Sequence, residues 1–264
     1  MNTETTCLLT GATGGIGVEI AKALDKQGIN LILQGRNIEK LEQLKANLVG
    51  KKHQLLVADL LEENDLSTLC TELAKRHDID WLINNAGCTQ FGLCAQISNE
   101  SMKQVINMNL LVPMQLSKVL LPQITRNQGK IINIGSVFGH IGFPGFSSYC
   151  ASKFGLRGFS ETLARELAND QVQVGYFAPR TTSTKINNDV VNAMNVALGN
   201  HVDTPEFVAQ ELIAFLNTGK TRQVLGWPEK LFARINGILP EVVDSALKKK
   251  LKIVNRFAIE NTGA

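Results

Sequence analysis

Short apolar runs alternate with longer segments of helical periodicity along this chain. Such alternation is typical of βαβ units, in which a crossover helix links neighbouring parallel strands. We therefore predict an α/β fold with a seven-stranded sheet and helices on both of its faces. The apolar runs predict strands at residues 7–10, 30–34, 54–58, 81–84, 130–136, 172–178 and 222–226. Helices are predicted to begin at Ile16 and Ser147, near Ile38, Glu63 and Asn99, and at Thr204, which serves as an N-cap.

The C-terminal segment departs from this alternation. Residues 228–264 have the pattern of two amphipathic helices divided at Pro240. We predict one domain over residues 1–264, with a core at 1–227 and this segment as a helical extension. The favoured interpretation is packing within the chain or between subunits, and the alternatives are a cover over the substrate mouth or contact with an anionic membrane surface. The two predicted apolar stripes contain Leu231, Phe232, Ile235, Ile238 and Leu239, and then Val243, Leu247, Leu251, Val254 and Ala258. The basic residues of the second helix are Lys248, Lys249, Lys250, Lys252 and Arg256.

Composition narrows the class of protein. With 27 basic and 24 acidic residues among 264, the net charge of +3 is too balanced to indicate a nucleic-acid-binding protein. The five cysteines lack the spacing of metal ligands and are odd in number, which favours reduced thiols, no metal site and a cytoplasmic location. The chain has neither a secretory leader pattern nor an apolar run of about 18 residues, so secretion and membrane spanning are disfavoured.

A glycine-rich motif follows the first predicted strand. The stretch TGATGGIG runs from Thr10 to Gly17 and leads directly into an apolar helix. Its glycines allow a tight turn and a close approach of the backbone to a diphosphate, and the helix N-terminus offers unpaired N–H groups. The motif predicts a site for an anionic dinucleotide, with a glycine-rich turn that binds no ligand as the alternative.

The residues after the second predicted strand bear on cofactor choice. An acidic residue at that point would bind the ribose 2′-hydroxyl of NAD(H). The chain has Gly35 and then Arg36, whose guanidinium suits a 2′-phosphate. NADP(H) is therefore predicted over NAD(H), and a solvated arginine in a turn is the alternative.

Several short motifs occur together in one order and spacing. They are TGATGGIG at 10–17, Asp59-Leu60, NNAG at 84–87, Asn109, Ser136, Tyr149 and Lys153, with the serine 13 residues before the tyrosine. In this the chain resembles the short-chain dehydrogenase/reductase family, in its single-domain, NADPH-preferring branch, from Thr6 to about Gly226. The resemblance implies a doubly wound, mostly parallel Rossmann sheet and a homodimer or homotetramer. With the motifs above, it assigns cofactor contacts to Gly11, Thr13, Gly14, Gly15, Ile16, Gly17, Arg36, Asp59, Leu60, Asn85, Ala86, Gly87, Tyr149, Lys153, Pro179, Thr181 and Thr184.

Tyr149 and Lys153 lie four residues apart, on one face of a predicted helix. A neighbouring cation stabilises a phenolate, so we expect Lys153 to lower the phenol pKa below about 10. Tyr149 would then serve as general acid and base, with Ser136 hydrogen-bonded to the substrate oxygen. The resemblance further implies that Lys153 holds the nicotinamide ribose and that Asn109 positions a relay water. The alternative for Tyr149 and Lys153 is an ordinary helix pair.

The chain departs from the family pattern after its sixth predicted strand. Pro179 and Thr184 fit, but Arg180 stands where the family usually has glycine. The Arg180 side chain could touch the cofactor diphosphate, contact an acidic group of the substrate or point to solvent, and solvent is the favoured interpretation.

Residues 185–201 lie where the resemblance places a substrate lid. Apolar residues there, with Phe143 and Phe146 from the preceding loop, predict a hydrophobic wall and an apolar carbonyl substrate. Packing of a short helix is an equal alternative, and His140 is interpreted as structural. The predicted wall residues are Val190, Val191, Met194, Val196, Ala197 and Leu198.

These observations together predict NADPH-dependent, reversible reduction of a ketone or aldehyde to an alcohol. Two other classes stay open from the sequence. One is an NADP(H)-binding sensor or scaffold without turnover. The other is a peripheral membrane-binding module built on the C-terminal helices.

Overall fold

The computed structural model describes residues 5–260, apart from the side chain of Glu260. Its seven strands form one sheet in the order β3-β2-β1-β4-β5-β6-β7, and every neighbouring pair is parallel. The predicted α/β class and strand number are confirmed, and the sheet is wholly rather than mostly parallel. The strands are β1 (Thr6–Leu9), β2 (Asn30–Gly35), β3 (Gln54–Val57), β4 (Trp81–Asn84), β5 (Lys130–Ile134), β6 (Gln173–Ala178) and β7 (Arg222–Val224).

The strand order reverses direction between β1 and β4. Cys7 of β1 pairs with Leu31 of β2 on one side and with Trp81 of β4 on the other. The connections from β1 and β4 therefore leave on opposite sides and open a crevice at the carboxyl edge of the sheet. Ligands of open α/β sheets bind in such a crevice.

Helices cover both faces of the sheet, as predicted. On one face Ile20 of α1 and Leu212 of α8 join the core around β1 and β2, and on the other Leu116 of α5 joins the core around β4 and β5. Because both faces are covered, the five inner strands β2, β1, β4, β5 and β6 are buried after their first residue, whereas the edge strands β3 and β7 are more exposed. The helices are α1 (Gly15–Asp25), α2 (Ile38–Ala46), α3 (Glu63–Ala74), α4 (Asn99–Ile106), α5 (Val112–Arg126), α6 (Ser147–Glu166), α7 (Asp189–Ala197), α8 (Pro205–Leu216), α9 (Glu229–Asn236) and α10 (Pro240–Glu260).

The two C-terminal helices pack against the chain to different extents. α10 begins at Pro240, as predicted, and buries Val254 and Ala258 against α7 and the loop before α6. The short α9 has no fully buried residue and contacts the chain through Phe232 and Ile235. The first predicted stripe is therefore only partly buried, and Ile238 at its end is 78% exposed.

Within residues 5–260, no helix is long and apolar enough to cross a bilayer. All five cysteines lie in this range and carry free thiols. The proposed boundary between a core at 1–227 and an extension at 228–264 stays a prediction.

Candidate active site

The glycine loop joins β1 to α1 at the carboxyl edge of the sheet. Gly11 has a φ of +62°, a backbone conformation that glycine adopts without strain. A Cβ atom there would lie 2.8 Å from the Ala86 Cα atom, so the loop backbone packs directly against the end of β4. A Cβ at Gly17 would collide with the Gly11 carbonyl oxygen. Glycine at these two positions is thus required by close approach.

The N-terminus of α1 has the properties of an anion site. Gly14 is its N-cap and supplies no side-chain acceptor, and the first turn contains no acidic residue. The N–H groups of this turn and the positive end of the helix dipole favour a diphosphate. Gly15 lies under Thr184, whose Cγ2 atom would be 2.7 Å from a Cβ at that position. Thr184 therefore lies against the glycine loop, although the two are far apart in the sequence.

The NNAG segment fixes the glycine loop through hydrogen bonds. The Thr10 hydroxyl accepts from the backbone N–H groups of Asn85 and Ala86, each at 3.0 Å. The Asn85 amide donates to the carbonyl oxygens of Thr10 and Gly11, both at 3.0 Å. The Asn85 side chain is therefore occupied by its hydrogen bonds to the loop. Contact between this segment and a ligand would come from the backbone atoms of the segment.

Arg36 and Asp59 meet where β2 and β3 end. Arg36 Nη1 lies 3.4 Å from Asp59 Oδ2, and the Arg36 side chain is 69% exposed. Asp59 also accepts a hydrogen bond from the Leu61 N–H and holds the turn. The guanidinium keeps donors for a phosphate, so the residues fit NADP(H). Leu60, between the two turn residues, is buried in the core.

Asn109 lies in a π-helical turn, Asn107–Leu111, between α4 and α5. It is fully buried, and its side chain donates to the Cys88 carbonyl at 2.8 Å and to the Ser152 hydroxyl at 3.1 Å. Its Oδ1 accepts from the Cys88 N–H at 2.9 Å. The amide thus links the segment after β4 to α6. Both polar atoms of the Asn109 side chain are hydrogen-bonded. Single π-helical turns of this kind occur frequently at functional sites.

Ser136, Tyr149 and Lys153 converge on one cavity. Ser136 follows β5 and caps a short 3₁₀ turn, and the other two residues lie in the first turns of α6. Lys153 Nζ donates to the Ile134 carbonyl at 2.9 Å and lies 5.7 Å from the centroid of the Tyr149 ring. The predicted proximity of the three residues is therefore present in the structure.

The expected direction of the Tyr149 pKa shift is wrong. Burial raises the pKa of the phenol to about 12, against the opposing effect of its hydrogen bond with the Ser136 side chain. Burial also lowers the pKa of Lys153 to about 8. Removing both groups from water disfavours each charged form, and for Tyr149 this desolvation outweighs the opposing hydrogen bond with Ser136.

The cavity has a volume of about 390 Å³ and opens on both the glycine loop and the C-terminal helices. Ile16, Asn85, Gly87, Pro179, Thr181 and Thr184 contribute to its wall on the cofactor side. The rest of the cavity wall is mainly apolar. It comes from the loop after β5 and from the helices α7, α9 and α10. Its apolar members include Phe138, Ile141, Phe143, Phe146, Val191, Met194, Leu198, Phe232, Val243, Ala246 and Leu247.

The predicted lid, residues 185–201, contains the helix α7, and only one face of this helix meets the cavity. Val191 and Met194 are buried and line the wall. Val196, by contrast, is 80% exposed, Ala197 also faces solvent, and the half-buried Val190 does not line the cavity, so the prediction of a cavity wall is wrong for these three. Helical periodicity explains the difference, because residues on opposite faces cannot both contact the cavity.

Arg180 does not point to solvent, and the favoured interpretation of it is wrong. Its guanidinium forms a bidentate ion pair with Asp203, at 2.8 and 2.9 Å, and contacts Glu229 at 3.2 Å. Its Nη1 also donates to the Trp227 carbonyl at 3.1 Å. The side chain is only 11% exposed. Arg180 therefore connects the loop after β6 to the segment before α8 and to the start of α9.

Sequence reasoning missed these partners of Arg180, since nothing in the spacing of Asp203, Trp227 and Glu229 marks them as neighbours. It also missed Lys250, whose place in a basic run indicated a solvated face although the residue lines the cavity. The helical spacing of Lys250 from Val243 and Leu247 was the signal that could have found it.

His140 is buried against Tyr176 and does not line the cavity.

Comparisons with known proteins agree with this geometry. A family model described as short chain dehydrogenase matches residues 5–195. Nodulation protein G of Rhizobium sp. (strain N33) is 36% identical over 225 residues, which cover 83% of this chain and 91% of that protein. The 3-oxoacyl-(acyl-carrier-protein) reductase of Rickettsia bellii is 34% identical, covering 84% and 92%. A short-chain dehydrogenase from Sphingobium yanoikuyae, solved in complex with NADPH, is 26% identical with a TM-score of 0.78, covering 91% and 95%.

Replacing Arg180 tests its role as a structural link. Arg180→Met should lower the free energy of unfolding by roughly 3 kcal/mol, because Asp203 would be left buried without its partner. Chemical denaturation measures this loss. Arg165→Met is the matched control, since Arg165 forms a 3.6 Å ion pair with Glu161 from a side chain that is 72% exposed, and such pairs contribute less than about 1 kcal/mol. Equal losses in the two variants would contradict the structural role.

Proposed function

We propose that this chain, which belongs to the short-chain dehydrogenase family, reduces an apolar ketone or aldehyde to an alcohol with NADPH, reversibly. Family membership makes it an oxidoreductase. The single observation that carries the finer proposal is one cavity whose wall contains both residues beside the glycine loop and the group Ser136, Tyr149 and Lys153. A substrate in this cavity would lie between a bound nucleotide and a proton donor.

The choice of NADP(H) rests on the residues at the crevice. The α1 N-terminus suits the diphosphate, and Arg36 beside Asp59 suits the 2′-phosphate. We assign the remaining contacts to the backbone of Asn85, Ala86 and Gly87 and to Thr184 above the loop. When bound, NADPH supplies the hydride that the reduction needs. The NADPH complex of the Sphingobium relative supports this assignment.

Tyr149 is the proposed proton donor. With its pKa raised to about 12, the phenol is protonated throughout the neutral range, as a general acid in reduction must be. Ser136, which shares a hydrogen bond with Tyr149, would orient the substrate oxygen toward the phenol. In the reverse direction the phenolate would accept the proton of the alcohol.

Lys153 is proposed to favour that proton transfer. Its ammonium is mostly protonated at neutral pH and stands close to the phenol in a dry site, where a charge interacts more strongly than in water. It would stabilise the negative charge that develops on Tyr149 as the proton leaves. We assign Asn109 a positioning role, since its amide is fully used by Cys88 and Ser152. A relay water would therefore have to be held by main-chain atoms of Asn109.

The apolar wall supports a hydrophobic substrate. The names of two relatives are consistent with a ketone as the reacting group. One is the Rickettsia reductase. The other is a carbonyl reductase family member 4 of Xenopus laevis, which is 34% identical over 218 residues, covering 80% of this chain and 91% of that protein. We further propose a cytoplasmic location, in keeping with the five free thiols. A homodimer or homotetramer is proposed as well, and the exposed apolar residues Leu111 and Phe154 offer it a surface.

A second candidate function is membrane contact through the turn between α9 and α10. Ile238, Leu239 and Val242 are exposed there, next to the basic face of α10. Pelleting with anionic vesicles that is lost in Ile238→Ser, but not in the equally exposed Val196→Ser, would favour this candidate. A non-catalytic NADP(H) sensor would instead bind the nucleotide and oxidise none of it across a panel of carbonyl compounds.

Removing the Tyr149 hydroxyl tests the proton donor. Tyr149→Phe should lower kcat for ketone reduction at least about 100-fold, because general acid catalysis at this step is lost. NADPH affinity, measured by nucleotide fluorescence, should change little, since the ring and Lys153 are retained. Activity close to that of the wild type would remove Tyr149 from the mechanism.

Removing the Arg36 charge tests cofactor choice. Arg36→Ala should reduce the ratio of kcat/KM for NADPH to that for NADH about tenfold, through loss of a charge-assisted hydrogen bond to the 2′-phosphate. Lys40→Ala is the control, because Lys40 is an exposed cation on the adjoining α2. An unchanged ratio in Arg36→Ala, or an equal fall in both variants, would contradict the assignment.

A further inference from the structure

One face of α10 forms part of the cavity wall. Val243, Ala246, Leu247 and Lys250 all line the cavity, and their spacing of three, four and seven residues from the first is that of a single helical face. The first three are apolar. The fourth, Lys250, places a cation at the end of this row of apolar side chains.

Lys250 differs from the other basic residues of this helix. It is half-buried, whereas the remaining four project from the solvent face of α10. The next residues along its own face, Val254 and Phe257, are buried against α7 and the loop before α6. Lys250 is therefore a charge set within the packed side of an amphipathic helix. The four exposed residues are Lys248, Lys249, Lys252 and Arg256.

Among the side chains that the structure describes, no carboxylate forms an ion pair with Lys250. The wall also contains Lys153, Arg180 and the carboxylate of Glu229, and each of these three already has a partner. Arg180 is paired with Asp203 and Glu229, and Lys153 donates to the Ile134 carbonyl. A lysine that lines a cavity and has no carboxylate partner can bind an anionic group there as a point charge. The position of Lys250 therefore points to a negative charge on a ligand.

That ligand is the substrate rather than the cofactor. α10 packs against α7 and against the loop after β5, and no residue of the glycine loop belongs to the apolar clusters that it joins. The anion sites for the nucleotide lie at the α1 N-terminus and at Arg36. Lys250 is thus on the wall that would surround the substrate chain.

We propose that Lys250 binds an anionic group of the substrate, so that the enzyme acts on apolar oxo acids. The carbonyl would lie at Ser136 and Tyr149, the carbon chain along Val243 and Leu247, and the carboxylate at Lys250. A lysine on its flexible four-carbon stem can reach such a group as a point charge. This inference rests on the proposed reductase function for its kinetic part and on the cavity alone for its binding part.

Calorimetry with decanoate and with 1-decanol tests the binding part without turnover. Wild-type protein should bind decanoate at least about tenfold more tightly than Lys250→Met does, through a charge-assisted hydrogen bond. Binding of 1-decanol should be the same in both, because methionine keeps the apolar stem. Lys250→Arg should retain decanoate affinity, and the solvent-face variant Lys249→Met should behave as wild type. Equal decanoate affinity in wild type and Lys250→Met, or an equal loss in Lys249→Met, would overturn the proposal.

Steady-state reduction of 5-oxodecanoate and of its methyl ester tests the substrate class. Lys250→Met should raise KM for the acid at least about tenfold, with kcat and the constants for the ester little changed. If wild type reduces both compounds and Lys250→Met leaves their ratio of kcat/KM unchanged, the Lys250 proposal fails while the reductase function stands. If wild type reduces neither compound but the decanoate difference holds, the anion site stands and the reductase function fails.

Discussion

The active-site arrangement depends on the hydrogen bond that the buried Lys153 ammonium makes. A lysine in a dry site needs a partner, and here the Ile134 carbonyl at the end of β5 provides it. That hydrogen bond fixes the first turns of α6 against the sheet and thereby sets the position of Tyr149 one helical turn away. The same burial raises the phenol pKa and lowers that of the lysine. The site thus holds a protonated acid beside a cation that titrates close to physiological pH.

The sheet determines where this pair can act. Reversal of strand order between β1 and β4 opens the crevice, and the close contact of Gly11 with Ala86 holds the glycine loop at its edge. Asn109 then joins the segment after β4 to α6 through Cys88 and Ser152, so hydrogen bonds link the proposed nucleotide side to the proposed proton-donor side. The C-terminal helices close the far wall, and Arg180 connects them to the loop after β6.

Local patterns predicted the features that depend on local physics. Buried parallel strands produce continuous apolar runs, and the glycine loop carries its own conformational signature, so both were evident in the sequence. The contacts of Arg180 depend on which distant segments meet, which spacing alone does not encode. Spacing places Lys250 on the helix face of Val243 and Leu247, but it does not show that this face meets the cavity. The pKa of Tyr149 was predicted in the wrong direction because proximity to Lys153 is visible in sequence, whereas the extent of burial is not. Val196 was assigned to the cavity wall on its apolar character alone, although helical periodicity places it on the face opposite Val191 and Met194.

The most direct test is the pH dependence of kcat/KM for ketone reduction at saturating NADPH. Tyr149, with a pKa of about 12, should stay protonated across the accessible range, whereas Lys153 should lose its proton as the pH rises through about 8. The account predicts a plateau at lower pH and a decline above about pH 8, as the cation that stabilises the forming phenolate disappears. A rate that stays constant up to pH 10, or that rises through pH 8, would contradict the role given to the buried lysine.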